Sequence, residues 1–278
     1  MPSFFPGHSG WEYCLTEAER QVMAERKASA AALLAALNGL SDEEMLALAD
    51  NSGKLKKFCG ALVAEEIANT FCVPLSDNEL QKQFPQFADR LAPWRKLAAE
   101  MNYSGPVSWL VKQGFTLKKH ASIVGPCNNN LNYLQGWNFN DAPTDDVIIF
   151  WVPRLAPKST GKDIKTMEAH RAELKKRYEL PGDHATYFGS IQILFAIILA
   201  HFKRSGERVP LDLLYAASGT LFVGGRLVAG VFSSTGGVGC DCWREDGNGC
   251  VGFFLLGVEK VSQDSVLQQT QQTGDENA

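Results

Sequence analysis

In the first hundred residues of the chain, short polar motifs typical of helix N-termini are followed by apolar residues at helical spacing. Each motif is a capping box, in which a Ser or Thr precedes a Glu by three positions: Thr16 with Glu19, Ser41 with Glu44, and Ser76 with Glu79. An Ala- and Leu-rich run between the first two boxes ends at Asn38-Gly39, a common helix stop. The pattern predicts three or four helices. We expect a structural or docking role for them, because such an apolar stripe is normally core.

The composition changes over residues 102–146, where Gly, Pro, Asn and aromatic residues predominate. These residue types are typical of turns and loops. We therefore expect a domain boundary near Ser104, with a helical N-terminal domain over residues 1–104 and a second domain over residues 105–261. The last residues, 262–278, are polar and are predicted to be disordered.

An apolar, β-branched run over residues 146–155 predicts the first strand of the second domain. Ser159 or Thr160 is then expected to cap a helix with a charged outer face that reaches about Tyr178. A second helix, predicted over about residues 185–204, is apolar nearly all round. A helix of that kind has to be covered on most sides.

Glycine is concentrated towards the C-terminal end, where residues 219–257 hold 11 of the protein's 25 glycines and no lysine. Apolar stretches over residues 227–232 and 251–258 predict strands. The polar, glycine-rich residues 233–249 predict a loop that joins them. Helices followed by late strands favour an α+β fold class.

Composition and charge narrow the range of functions. The formal net charge is −4, and 45% of the residues are hydrophobic, which suits a soluble globular protein rather than a general binder of nucleic acid or of anionic membranes. The start of the chain lacks the basic and apolar regions of a secretory signal, so a cytoplasmic location is expected. The apolar run 187–202 is shorter than the roughly 20 residues that a membrane span needs.

Candidate catalytic and metal-binding residues are few. The seven cysteines include no CxxC pair, which fits neither a disulfide framework nor a zinc ribbon. Cys240, Cys242 and Cys250 leave open a thiol- or metal-dependent enzyme, because thiolates close in space bind zinc or copper. The sequence KSTGKD at residues 158–163 lacks the first glycine and the hydroxyl of a phosphate loop, and no two histidines are four residues apart. We therefore predict no cofactor and no metal.

The predicted loop over residues 233–249 combines small hydroxyl residues, glycines, carboxylates, an arginine and a tryptophan. Gly and Ser let a surface adapt to a ligand, whereas Trp and Arg are the residue types that most often dominate binding energy. Trp243 and Arg244 are therefore the candidate binding anchors. An ordinary solvated hairpin loop would have a similar composition and remains the alternative.

Two motifs in this half resemble a known family. Arg208-Val-Pro-Leu-Asp212 followed by Tyr215-Ala-Ala-Ser-Gly219 resembles a signature of the formylglycine-generating-enzyme branch of the C-type lectin fold. More broadly, residues 147–261 resemble C-terminal modules of paralogous bacterial proteins that are targets of diversity-generating retroelements. In that class, a reverse transcriptase copies a template with errors at adenines. Asparagine codons of the form AAC thereby become NNC codons, in which N is any base. Such codons cannot encode Lys, Glu, Gln, Met or Trp.

The resemblance implies a non-enzymatic ligand-binding protein with a C-type-lectin-like domain, in which two helices pack on a small antiparallel sheet. The structural frame would include Arg226–Val228 and Phe253–Leu255. Trp243 and Glu245 would either be fixed positions or lie outside the mutable codons. The ligand-binding face, part of which would be hypervariable, would comprise Ser233, Ser234, Thr235, Asp241, Cys242, Trp243, Arg244, Asp246 and Asn248. The expected partner is a protein or another macromolecule, and neither nucleic acid nor a membrane. The copper-binding cysteine pair of the formylglycine-generating enzymes has no counterpart at these positions, so their activity is not implied.

Overall fold

The computed structural model describes Ser41 and residues 52–181, 188–211, 213–223, 225–231, 237–247 and 249–261. The chain divides into two compact units, Met1–Glu66 and Ile67–Ala278. In the first unit, only Ser41 and residues 52–66 of one helix are described. Every strand and every other helix that the structure describes belongs to the second unit.

Helices and strands alternate irregularly along the described chain. The helices are α1 Ser52–Phe71, α2 Asp77–Gln83, α3 Leu91–Glu100, α4 Ile164–Tyr178 and α5 Ile191–Ser205. The strands are β1 Cys72–Leu75, β2 Ser108–Val111, β3 Val147–Leu155, β4 Tyr215–Phe222, β5 Gly225–Val231, β6 Val238–Trp243, β7 Val251–Gly252 and β8 Phe254–Lys260. Shorter helical turns occupy Pro85–Arg90, Leu117–Ala121, Ser122–Val124, Asn128–Leu134 and Asn138–Asp141. The predicted α+β class is confirmed.

The strands form two sheets of four. The first sheet has the order β1-β2-β3-β8 and is antiparallel throughout. The second has the order β6-β5-β4-β7, in which only the short β7 runs parallel to its neighbour. Alternate residues of β3 enter two different cores: Ile149 and Trp151 pack with α5, whereas Ile148 and Phe150 pack with α3 and α4. The first sheet therefore lies between two helical layers.

Helix α5 is the centre of one core. Each residue from Ile191 to His201 is buried, and the helix contacts β1 and β2 of the first sheet as well as β4 and β5 of the second. The Ser190 side chain caps the start by accepting a hydrogen bond from the Ile193 amide, at 3.3 Å, and Gly206 ends the helix with a φ of 71°. The prediction of a covered apolar helix is confirmed, although α5 begins at Ile191 rather than near residue 185.

Helix α4 is also confirmed, but with a different cap. The Asp163 carboxylate accepts a hydrogen bond from the Thr166 amide at 2.8 Å, so Asp163 is the N-cap instead of Ser159 or Thr160. The Ser159 side chain is buried, and its hydroxyl accepts a hydrogen bond from the Phe253 amide at 3.4 Å. Ser159 therefore hydrogen-bonds to the residue before β8 and does not cap the helix.

The predicted domain boundary near Ser104 is wrong. Strand β1 lies before that residue and pairs with β2 after it, with Cys72 opposite Val111. The side chain of Trp94 shares a core with Ile148 and stacks on Phe150, with ring centroids 6.1 Å apart. Residues on both sides of position 104 thus build one hydrophobic core, and the chain divides after Glu66 instead.

One of the three predicted capping boxes is described and confirmed. The Ser76 hydroxyl accepts a hydrogen bond from the Glu79 amide at 3.2 Å, and the Glu79 carboxylate accepts one from the Ser76 amide at 2.7 Å. The box at Thr16, the Glu44 end of the box at Ser41, and the polar tail 262–278 lie outside the described residues.

Candidate functional site

Strand β6 lies inside the segment that was expected to be a loop. It pairs antiparallel with β5 along its whole length, from Val231 opposite Val238 to Arg226 opposite Trp243. Val238 and Cys240 are buried in the core that contains α5, which is why the polar composition of the segment does not prevent a strand. The predicted loop therefore contains a strand whose surface residues are held by a rigid sheet.

The outer edge of β6 is covered without another strand. The Val238 amide donates to the Pro126 carbonyl at 2.8 Å, and the Cys240 amide donates to the Tyr133 hydroxyl at 2.9 Å. The Cys242 amide donates to the carboxylate of the preceding residue at 2.7 Å. Gly237 permits this arrangement, because a Cβ there would collide with Pro126. Each outward amide of the strand thus has an acceptor.

The structure sorts the predicted binding residues into three groups. Asp241, Cys242, Arg244 and Asp246 are exposed at the end of β6 and in the turn that follows it. Trp243 is buried. Ser233, Ser234, Thr235 and Asn248 lie outside the described residues.

The prediction that the Trp243 side chain lies on the binding face is wrong. Only 3% of the residue is exposed, and it packs in the second core with Val228 and Val251. Its indole nitrogen donates to the Asp246 carbonyl at 2.9 Å and to the Asp246 carboxylate at 3.1 Å. Trp243 therefore holds the turn beneath the surface, because a buried indole N–H requires an acceptor.

Glu245 is also bound to the frame. The Arg226 guanidinium donates to its carboxylate at 2.9 Å and to the Ser218 carbonyl at 2.9 Å. The Glu245 carbonyl accepts a hydrogen bond from the first amide of α4, on Ile164, at 3.3 Å. Leu227, Val228 and Phe253–Leu255 are buried, as expected of frame residues.

An aromatic groove lies beside the exposed end of β6. It has a volume of about 180 Å³, and its lining is mostly apolar: Tyr133, Leu134, Trp137, Phe139, Phe222, Leu227, Cys240, Asp241 and Cys242. Trp137 and Tyr133 are 43% and 41% exposed, which is unusual for rings of this size. The Trp137 ring meets Phe222 edge-on, with centroids 4.4 Å apart. We call this set of residues the aromatic groove.

The sequence around Tyr133 explains how one wall of the aromatic groove forms. Asn129 and Asn130 have φ angles of 46° and 49°, and Leu131 has a φ of 59°. Asparagine tolerates this left-handed region better than other residues with a side chain, and Leu131 is held there by burial, at 3% exposure. The run of asparagines thus turns the chain so that Tyr133 reaches the edge of β6.

The surroundings of Cys240 argue against a reactive thiol at that position. Burial raises the pKa of the Cys240 thiol to about 12, the opposite of the shift that activates a nucleophilic cysteine. Burial also raises the pKa of Tyr133 to about 12, so its hydroxyl stays neutral and can accept the Cys240 amide. Cys240 is buried, whereas Cys242 and Cys250 are exposed.

Sequence reasoning identified the exposed end of β6 but missed Tyr133, Trp137 and Phe139. The available signal was the presence of large aromatic residues in a segment otherwise composed of Asn, Gly and Gln. A loop with that composition has no core of its own to hold large rings.

Comparison with protein-family models, with curated proteins and with solved structures finds no match to the chain. In the described part of the chain, no group of three His, Cys, Asp or Glu side chains is arranged to hold a metal ion. None of the helices that the structure describes has the length and apolar character needed to cross a membrane.

Proposed function

We propose that this protein is a non-enzymatic binding protein with a C-type-lectin-like domain, and that it holds a protein ligand on the exposed end of β6 and the aromatic groove. We further propose that surface positions of this site are diversified by a retroelement. The observation that carries the proposal is the sorting of neighbouring residues at the end of β6 into buried frame and exposed face.

The architecture supports a lectin-type scaffold. Within residues 147–261, a strand is followed by helices α4 and α5 and then by the late strands, which agrees with the arrangement that the sequence resemblance implies. The two helices contribute to different cores on opposite faces of the first sheet. Strand β6 contributes Val238 and Cys240 to the core of α5 and Trp243 to the core of α4, so a binding surface on β6 would rest on a packed support.

The composition of the site supports a protein ligand. Tyr and Trp are enriched at protein interfaces, and Tyr133 and Trp137 are both substantially exposed here. The volume of the aromatic groove, about 180 Å³, is below the roughly 300 Å³ at which small-molecule pockets usually begin. It suits one inserted side chain of a larger partner, with the charged Asp241 at its rim.

The two buried or paired residues support diversification. Residues 233–251 contain only two of the five residue types that NNC codons cannot encode, Trp243 and Glu245. Trp243 is buried, and Glu245 is paired with Arg226. The exposed neighbours Asp241 and Cys242 are both encodable. The residues that the mechanism could not produce are thus the ones that stabilise the turn.

Sequencing the 3′ end of the gene and its flanking DNA from many cells of the source population tests the diversification. We expect the codons for Asp241, Cys242, Arg244 and Asp246 to vary, at adenines of a nearby near-repeat, while those for Trp243 and Glu245 stay constant. An invariant segment without a template repeat would refute diversification, and variation at Trp243 would refute the division into frame and face.

A display experiment tests the binding capacity of the face separately. One library randomises Asp241, Cys242 and Arg244, and a matched library randomises three exposed residues of α4, namely Lys165, Glu168 and Ala172. Both are selected against the same model protein, such as ubiquitin. We expect binders from the β6 library and few or none from the α4 library, because only the former borders the aromatic groove. Equal yields from both libraries would contradict the proposed binding site.

A further inference from the structure

A second cavity in the protein shares no lining residue with the aromatic groove. It is a cleft of about 670 Å³ between the loop after α3, the end of β3 and the C-terminal end of α5. Its chemically relevant lining residues are Tyr103, Trp109, Arg154, His201, Arg204 and Glu207. We call this cavity the charged cleft. Its volume falls within the roughly 300–1,000 Å³ typical of small-molecule sites.

The charged cleft has an excess of positive charge. Among the described residues, the Arg154 side chain has neither a hydrogen bond nor an ion pair, and Arg154 is exposed. The Arg204 guanidinium donates to the neutral Asn69 side chain at 2.5 Å, so that contact leaves its charge uncompensated. Glu207 supplies one carboxylate against these two cations. An anion that enters the cleft would therefore meet more positive than negative charge.

A buried histidine supplies a second polar feature of the charged cleft. His201 is only 7% exposed, and its ring has no hydrogen-bond partner among the described residues. The ring packs edge-on against Tyr103, with centroids 6.4 Å apart, and against Trp151, at 5.9 Å. Because the ring lines the cleft and has no partner there in the described part of the chain, its nitrogens can donate a hydrogen bond to a ligand or accept one from it.

The protonation state of this histidine fits a hydrogen-bonding role. Burial lowers the pKa of His201, and the nearby Glu207 opposes that shift only in part. Near neutral pH the imidazole is therefore predominantly uncharged, with one nitrogen that donates and one that accepts. The positive charge of the cleft comes from the arginines rather than from His201.

We propose that the charged cleft binds a small organic anion, with its carboxylate or phosphate group against Arg154 and Arg204 and its body against the rings of Tyr103 and His201. Guanidinium groups suit both kinds of anion, because their N–H donors match paired anionic oxygens. The inference goes beyond the proposed function, since a protein ligand on β6 would not occupy this cleft.

Calorimetric titration of the full chain tests the proposal with three probes. Phenyl phosphate and benzoate each combine a ring with an anionic group and distinguish phosphate from carboxylate recognition. Inorganic phosphate tests whether the body of the ligand contributes. We expect saturable binding of at least one ring-containing anion and weaker binding of inorganic phosphate. If neither ring-containing anion binds, the proposal is overturned.

Variants of charged residues locate the binding. Arg154→Gln should weaken the binding of the better probe about tenfold, because it removes a charge-assisted hydrogen bond. Arg177→Gln is the matched control, because Arg177 is an exposed arginine outside both the charged cleft and the proposed binding face, and it should leave the affinity unchanged. Equal losses in both variants would overturn the assignment to this cleft.

A variant with the opposite sign separates direct binding from structural damage. Glu207→Gln removes the carboxylate that lines the cleft and should tighten anion binding about threefold, since like charges repel. Structural damage would weaken binding instead. Weaker or unchanged binding in Glu207→Gln would contradict the proposed electrostatics.

Discussion

The end of β6 and the turn that follows it place two regions with different physical roles within a few residues. Cys240, Trp243 and Glu245 are buried or paired with the frame. Asp241, Cys242 and Arg244 lie at the surface. The contrast shows that neighbouring residues of one strand and turn can have separate roles: some stabilise the fold, and the others are free to contact a ligand. Substitutions on the frame side should change the free energy of unfolding, and substitutions on the face side should not.

The largest test of this contrast compares two tryptophans. Trp243→Ala should lower the free energy of unfolding by about 3–5 kcal/mol, because it removes a buried indole and its hydrogen bonds. The matched variant Trp137→Ala removes an indole that is 43% exposed and should cost about 1 kcal/mol. Urea unfolding followed by circular dichroism measures both. A similar loss of unfolding free energy in the two variants would contradict the division into buried frame and exposed face.

Alkylation distinguishes the cysteines of the same strand. At pH 8, native Cys242 should react with iodoacetamide, whereas Cys240 should be protected by burial and by its pKa of about 12. A thiol with that pKa is almost entirely protonated at pH 8, and the thiolate is the form that reacts. Mass spectrometry of native and urea-unfolded protein measures the sites. Fast modification of native Cys240 would instead support a thiol enzyme.

The same thiol predicts a dependence of stability on pH. Folding raises the pKa of Cys240 from 9.0 to about 12, so its contribution to stability is complete below pH 9 and is lost as the pH rises towards 12. Stability should therefore fall less steeply above pH 9 in Cys240→Ala than in the unsubstituted protein. Urea unfolding at pH 8, 9 and 10 measures the free energy of unfolding of both proteins. If that free energy changes with pH equally in the two, Cys240 has the same pKa in the folded protein as in the unfolded chain.

A smaller effect is expected for the paired carboxylate. Glu245→Ala leaves the half-buried Arg226 without its carboxylate partner and should lower the free energy of unfolding by about 1–3 kcal/mol. Glu245→Gln keeps the shape and an acceptor, so it should recover part of that loss. If Glu245→Ala is as stable as the unsubstituted protein, Glu245 does not belong to the frame.

The smallest effects are expected on the face itself. Asp241→Ala, Cys242→Ser and Arg244→Gln should each change the free energy of unfolding by no more than about 0.5 kcal/mol. Urea unfolding measures these changes as well. Glu245→Ala is the reference, because it removes a carboxylate that is expected to stabilise the fold. A loss above about 1 kcal/mol at any of the three would move that residue into the frame.

Sequence patterns predicted those helices and strands that can be recognised from a short run of neighbouring residues. The box at Ser76, the β-branched run of β3 and the apolar α5 could all be identified from neighbouring residues, and all three are present. Strands β1 and β2 could not, because each is only four residues long and depends on a partner far along the chain. Pairing of that kind leaves almost no local trace.

The candidate site shows the same limit at the level of single residues. Composition identified the segment that contains Asp241 and Arg244, but residue type could not show that Trp243 lies beneath the turn. That position depends on its contact with Val228 in the neighbouring strand and on its bond to Asp246. The aromatic groove was missed for a similar reason, since Tyr133 and Cys240 are 107 residues apart in the sequence.

The covered edge of β6 has a consequence for how the protein behaves in concentrated solution. A strand whose outer amides lack acceptors can recruit a strand from another molecule and so start aggregation. Here the Pro126 carbonyl and the Tyr133 hydroxyl occupy two of those amides, and neither acceptor comes from a side chain of the face. Replacement of Asp241 would free the third outward amide, on Cys242, but the other two would keep their acceptors. New side chains at Asp241 and Cys242 would therefore alter what the surface recognises while most of the edge stays closed to a strand from another copy.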